Sequence, residues 1–396
     1  MNRLAYLALW LYVFTVPWEN IITIPGLGTL SRFVGIGAVG IGLLYVLLSG
    51  SLRFHRAHIW GVLFVLLAAL SYFWSIETAD TLNRVFQYGL LFAFFWVLFS
   101  VIDHPEQLRG ILVAYVLGCY VAGSDTISNF LSGSEAYYQR FAADGFDPGD
   151  LSFVLALGIP MAWYLAFKEN SRMVWLYRLY PLVAVMVILL TAARAGLLGV
   201  AVGLLFVFFT LPRASWRVKA LATVLGLVAL WIIPVLVPAD SFSRLATLSE
   251  ELTQGSLNDR TNIWLAGWQN FSDNPILGVG AGAFGASLRD HELFRDWVAP
   301  HNLFVSIATE MGLLGLGLFV LMLVSVVAVL WQMPALERGL WLTVLAILFL
   351  AFMAQNWEWR KQTWFVLGMI ITHWKILYPA WMPVKQPLLV LQAEKR

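Results

Sequence analysis

Twelve apolar runs follow one another along this chain, at about 3–18, 31–49, 58–74, 82–102, 109–129, 150–167, 178–193, 196–211, 219–237, 302–331, 338–355 and 362–378. Turn and charge signals such as Pro25-Gly26, Ser49-Gly50 and Leu211-Pro212-Arg213 separate them. In a bilayer every backbone polar group must be satisfied within the segment, so runs of this length are expected as helices. Composition agrees: 60% of the 396 residues are apolar and 12% charged, against about 45–50% and 25% in soluble domains. A soluble globular enzyme and a disordered chain are both excluded. The expected fold is all-α: a polytopic integral membrane protein of about 12 transmembrane helices with one long loop containing short helices. Residues 1–237 hold the first nine, 238–300 the loop with its amphipathic helices, and 301–396 the last three with a short tail.

Basic residues set the orientation. Fifteen lie in the even-numbered connections and the tails, and six in the short odd-numbered ones. By the positive-inside rule both termini are cytoplasmic and the 63-residue loop is periplasmic. The N-terminal stretch lacks a small-x-small cleavage site and reads as a retained first span. Cys119 is the only cysteine, so no intramolecular disulfide forms. A net charge of +2 with no basic block gives no reason to invoke nucleic acid. Most tryptophans near span ends read as an interfacial belt.

The expensive residues collect on the outer side. Thr191-Ala-Ala-Arg194-Ala-Gly196 joins two apolar runs almost without a loop, which pins Arg194 near the membrane boundary. There it either snorkels or meets a lipid phosphate as a bidentate donor. Residues 256–271 read as a helix with Arg260, Trp264, Trp268 and Phe271 on one face, either an ordinary packed helix or one holding Arg260 at headgroup level. The glycine-rich run Leu277 to Gly285 follows no strand, so it reads as a tight loop rather than a dinucleotide site. A short charged helix, Ser287 to Trp297, carries Arg289 and Arg295. Pro300-His301-Asn302 opens the tenth span, and the positive end of that helix favours a neutral imidazole, able to take a proton. Glu310, deeper in the same helix, is an intramembrane carboxylate. Glu358, Arg360 and Lys361 read as helix-end anchors. Metal binding needs closely placed outer carboxylates. Glu19 stands alone in its connection, and the Asp144/Asp147/Asp150 and Asp290-His291-Glu292 groups read as solvated charge, so no metal and no cofactor are expected.

The segments TAARAGLLG (Thr191 to Gly199), RTNIWLAGWQNFSDNPILGVGAGAFG (Arg260 to Gly285) and PHNLFVSIATEMGLLGLGLF (Pro300 to Phe319) resemble the bacterial O-antigen ligase family, whose superfamily includes O-antigen polymerases. The family more often has Ser where this chain has Ala193, so no hydroxyl role falls there. The resemblance implies glycan transfer from undecaprenyl diphosphate to a lipid A-core oligosaccharide at the periplasmic face of the bacterial inner membrane. It also implies that His301 is the functional histidine and that Arg194 and Arg260 are the functional arginines.

Those residue types suit the reaction. The acceptor hydroxyl needs a base, and the departing diphosphate needs positive charge, which arginine supplies in a metal's place. Direct displacement inverts the anomeric centre. Arg289, Arg295, Trp268, Asn302 and Glu310 are the candidate substrate contacts. The alternative is a polymerase using the same donor. A protein O-oligosaccharyltransferase is disfavoured because such relatives carry extra soluble sequence beyond the position of Trp381. A lipid-linked sugar transporter is disfavoured because the charges lie mostly at the rim and no half-repeat is visible.

Overall fold

The computed structural model describes residues 2–236, 260–289 and 298–379, apart from 27, 51, 137–139, 170 and 171. Every expected run is a helix. The first nine are α1 (Asn2–Thr15), α2 (Leu30–Ser49), α3 (Arg56–Leu70), α4 (Thr78–Val101), α5 (Pro105–Ser132), α6 (Pro148–Lys168), α7 (Val174–Leu190), α8 (Arg194–Thr210) and α9 (Trp216–Leu236). The long connection contributes α10 (Arg260–Asp273) and one short turn, α11 (Phe284–Ser287), before α12 (Leu303–Leu330), α13 (Ala335–Ala354) and α14 (Lys361–Leu377). Among the described residues, eight helices are long and apolar enough to cross a membrane, so the chain is an all-α polytopic membrane protein. One small departure is an antiparallel ribbon around Pro25-Gly26, pairing Thr23 with Thr29 and Ile24 with Gly28.

Where these helices pack is set by which residues are small. α6 is buried along nearly its whole length and packs against α5, α7, α8 and α13. The first turn of α8 comes so close that a Cβ on Gly196 would overlap Ser152. Large apolar side chains that stay exposed, such as Leu47 and Leu48 on α2 and Phe208 and Phe209 on α8, face outward, as a lipid solvent allows.

α12 is broken at a glycine that its sequence does not single out. At Gly312 the backbone turns to φ 62°, ψ −164°, a region open essentially to glycine alone. The glycine-rich loop inserts there and supplies the hydrogen bonds the helix loses. Val279 N–H donates to Thr309 O (3.0 Å) and Gly280 N–H to Glu310 O (2.8 Å), while Pro275 O accepts from Leu313 N–H (2.8 Å). The far edge of the loop is held by the α3–α4 connection, through Ile76 N–H to Val279 O (3.1 Å) and Ala281 N–H to Ser71 Oγ (3.0 Å). These backbone pairings are what an irregular segment needs where water does not reach. A Cβ on Gly312 would run into the Ile276 carbonyl. Gly312→Ala is therefore expected to cost at least about 1–3 kcal/mol from backbone strain alone, read as a lowered thermal unfolding midpoint in detergent.

Helix α10 is described from Arg260 to Asp273; its expected start at Ser256 or Asn258 lies outside the described residues. Its buried face is Ile263, Ala266, Gly267 and Phe271, because it packs on α12 and α11, so Trp268 points outward, 60% exposed, rather than into a site. The expected helix from Ser287 to Trp297 falls mostly in residues 290–297, outside the described residues, and Arg295 with it.

Candidate active site

His301 does not start the helix. Asn302 is the cap of α12, its Oδ1 accepting from Phe304 N–H (2.9 Å) and Val305 N–H (3.1 Å). The side-chain oxygen thereby satisfies two of the orphan donors of the first turn. His301 precedes the cap in the left-handed region, at φ 46°, a conformation that costs an L-residue about 1–2 kcal/mol. The residue before it is pinned, since Trp264 Nε1 on α10 donates to Pro300 O at 2.9 Å.

The half-buried imidazole points to the α13–α14 connection, where its Nδ1 meets Gln355 Oε1 at 3.2 Å. A carboxamide oxygen only accepts, so Nδ1 carries the proton and Nε2 keeps its lone pair. Burial pushes the His301 imidazole below its ordinary value and the positive charge of Arg260 adds to this, while Gln355, Asp147 and Asp150 oppose it. The ring is therefore neutral at neutral pH. Gln355 escaped sequence reasoning because a lone glutamine between two apolar runs carries no spacing signal.

The first turn of α6 is the hub. Asp147 caps it, accepting from Gly149 N–H (2.8 Å) and Asp150 N–H (3.1 Å). The amide end of Gln355 packs over Gly149, 2.7 Å from where a Cβ would stand. Arg260 is half-buried and interacts electrostatically with Asp147 as well as His301. Arg194, also half-buried, is the first residue of α8, two positions before the Gly196 contact with Ser152 on α6. Its helix starts from a left-handed Ala192 (φ 47°), and Ala193 offers no side-chain cap. Arg140 helps set that corner, its Nε donating to Thr191 O at 2.9 Å. Thus His301, through Gln355, and Arg260, through Asp147, are both tied to the first turn of α6, and the helix that Arg194 opens packs on α6 at Ser152.

Other expected contacts are occupied elsewhere. Arg289 is exposed and paired with Glu77 at 2.9 Å. Glu310 is buried, its carboxylate accepting from Gly282 N–H (2.7 Å) and Phe284 N–H (3.4 Å), so it holds the glycine loop in the helix break. Of the carboxylates expected to be solvated, Asp144 and Asp147 are exposed, Asp290 and Glu292 lie outside the described residues, and Asp150 alone departs. Asp150 is buried, accepts from Trp357 Nε1 at 2.9 Å and pairs with Arg360; Glu19 pairs with Lys361 at 2.6 Å. Nor is Glu358 a simple helix-end anchor. It is fully buried, accepts from Ser306 Oγ at 2.9 Å and lies 3.6 Å from Arg84, and burial raises its carboxyl to about 7 although Arg84 opposes this. The connection 355–360 therefore ties His301, α6, α12 and α4 together, which explains why its charges sit inside.

Comparison with known proteins agrees with the motifs. Residues 179–320 match the family model described as O-antigen ligase. The chain is also 24% identical over 290 residues to the exopolysaccharide production protein ExoQ of Rhizobium meliloti (strain 1021), a match covering 68% of this chain and 65% of that protein.

Proposed function

We propose, from the premise that residues 179–320 form an O-antigen ligase family segment, that this chain is an inverting, metal-independent glycosyltransferase. It moves O-antigen glycan from undecaprenyl diphosphate to a lipid A-core oligosaccharide. The active site faces the periplasm, in a bacterial inner membrane with both termini cytoplasmic. The observation that carries the reading is the neutral His301, held with Nε2 free by Gln355 and lying beside Arg260.

In this mechanism His301 Nε2 takes the proton of the acceptor hydroxyl as its oxygen attacks the anomeric carbon. The bond to the diphosphate oxygen breaks from the opposite face, and the charge left on the diphosphate is met by Arg194 and Arg260 in charge-assisted hydrogen bonds of about 1.5–3 kcal/mol each. The N-terminal dipole of α8 adds to that field. Arginine stands where many transferases hold a divalent cation, so transfer is expected to survive exhaustive chelation. Loss under EDTA with recovery on adding Mg²⁺ or Mn²⁺ would return attention to the carboxylates.

As the imidazole becomes imidazolium, its bond to Gln355 turns from a neutral into a charge-assisted one and strengthens. Gln355→Leu is expected to lower kcat about tenfold, the worth of roughly 1.4 kcal/mol. Gln355→Glu should retain an acceptor and move the acid limb of the pH–rate profile upward, because a carboxylate favours imidazolium. A purely structural Gln355 would leave that limb unmoved.

The ExoQ match supports a second reading, in which the same donor extends a growing polysaccharide. Purified protein given a lipid-linked glycan together with either lipid A-core or a second lipid-linked glycan separates the two. Elongation of lipid A-core is expected; exclusive elongation of the lipid-linked glycan makes the chain a polymerase.

A further inference from the structure

Away from His301, on the other side of Asp150, α1, α2 and α4 enclose a cavity of about 270 Å³. Its mouth is polar and its walls are not. Arg32, Arg360, Lys361 and Glu19 lie at one end, while Ile36, Val39, Leu90 and Leu91 line the rest. Because α2 rises about 1.5 Å per residue, Val39 sits roughly 10 Å further into the bundle than Arg32. Phe86 and Ile36 on the rim are exposed, so the cavity opens sideways toward the hydrocarbon.

The charges at the mouth do not cancel. Glu19 is held by Lys361 at 2.6 Å, and Arg360 pairs with Asp150. Among the described residues no carboxylate forms an ion pair with Arg32, whose guanidinium rests over the Phe86 ring at 5.8 Å. Trp359, another lining residue, has a buried Nε1 donor with no acceptor among the described residues. An unmatched cation at the mouth of an apolar, laterally open slot asks for an anionic head, rich in acceptor oxygens, on an apolar tail.

We propose that this cavity binds a lipid with an anionic phosphate head, the phosphate meeting Arg32 while one chain lies along α2 and α4. This is independent of the transfer reaction and uses none of its residues.

The test is lipid retention by the full chain in detergent, followed by native mass spectrometry with dioleoylphosphatidylglycerol or dioleoylphosphatidylcholine. The wild-type protein is expected to retain phosphatidylglycerol at least about tenfold more strongly. Arg32→Gln should reduce that preference about fivefold, the worth of one basic residue at a lipid head, and Ile36→Trp should block retention of both lipids. Arg213→Gln, an exposed arginine on the α8–α9 connection, should change nothing. Inorganic pyrophosphate should fail to displace the lipid, because the tail is part of the fit. Equal retention by wild type and Arg32→Gln, an Arg213→Gln effect of the same size, or displacement by pyrophosphate would each overturn the proposal. None of these outcomes bears on glycosyl transfer.

Discussion

His301→Ala is expected to lower glycan transfer at least about 10²-fold, the lower bound for a general base, while donor binding survives. The separation follows from the arrangement: the arginines proposed to hold the diphosphate stand on α8 and α10, and the imidazole stands on the lead-in to α12. The pH dependence has a definite sign. A base works only when neutral, so activity falls as pH drops through the folded value of the imidazole. Burial and Arg260 hold that value below 6.5. The acid limb is therefore expected below pH 6.5 and absent from the residual activity of His301→Ala. Loss of donor binding with unchanged turnover of bound donor would make His301 a diphosphate ligand. The base would then lie elsewhere, and Glu310 is a poor substitute because its carboxylate already accepts from Gly282 and Phe284.

Arg194→Ala and Arg260→Ala are each expected to abolish transfer, and the lysine variants to impair it strongly. Lysine keeps the charge but not the planar fork that grips two phosphate oxygens at once. One charge-assisted hydrogen bond lost at about 1.5–3 kcal/mol corresponds to roughly 10- to 150-fold, so each lysine variant should fall at least that far in kcat/KM while remaining inserted and folded by thermal unfolding. Arg260 carries a second signature. Its charge helps keep His301 neutral, so the residual activity of Arg260→Gln should show an acid limb moved upward in pH, whereas Arg194→Gln should show a smaller movement or none. Wild-type rates in both lysine variants would reduce the two residues to membrane anchors.

Much of this was legible in one dimension, because a bilayer imposes a local rule. Each span must be apolar over its own length and satisfy its own backbone, so the twelve runs and twelve helices coincide within a few residues without any knowledge of neighbours. His301 and Arg194 stood out as polar groups at the ends of apolar runs, and Arg260 as a basic residue heading an aromatic helix face in the long loop. What depends on partners distant in sequence was not legible. The break in α12 is invisible because Gly312 sits among glycines and leucines that suit an unbroken span; only the loop 32–37 residues earlier, arriving to replace the missing hydrogen bonds, makes it tolerable. The side-chain oxygens of Asn302 and Glu310 accept from backbone N–H groups, and Asp150, which looked solvated, is buried against Trp357 and Arg360. The sequence by itself determined how many apolar helices form, where they end and which charges stand at those ends, since these follow from each segment's own contact with lipid and water. Only the tertiary structure decided which of those charges neutralise one another, which imidazole nitrogen stays free and where an unmatched arginine meets an apolar slot, because a side chain's chemistry is set by what lies within a few ångströms of it in space.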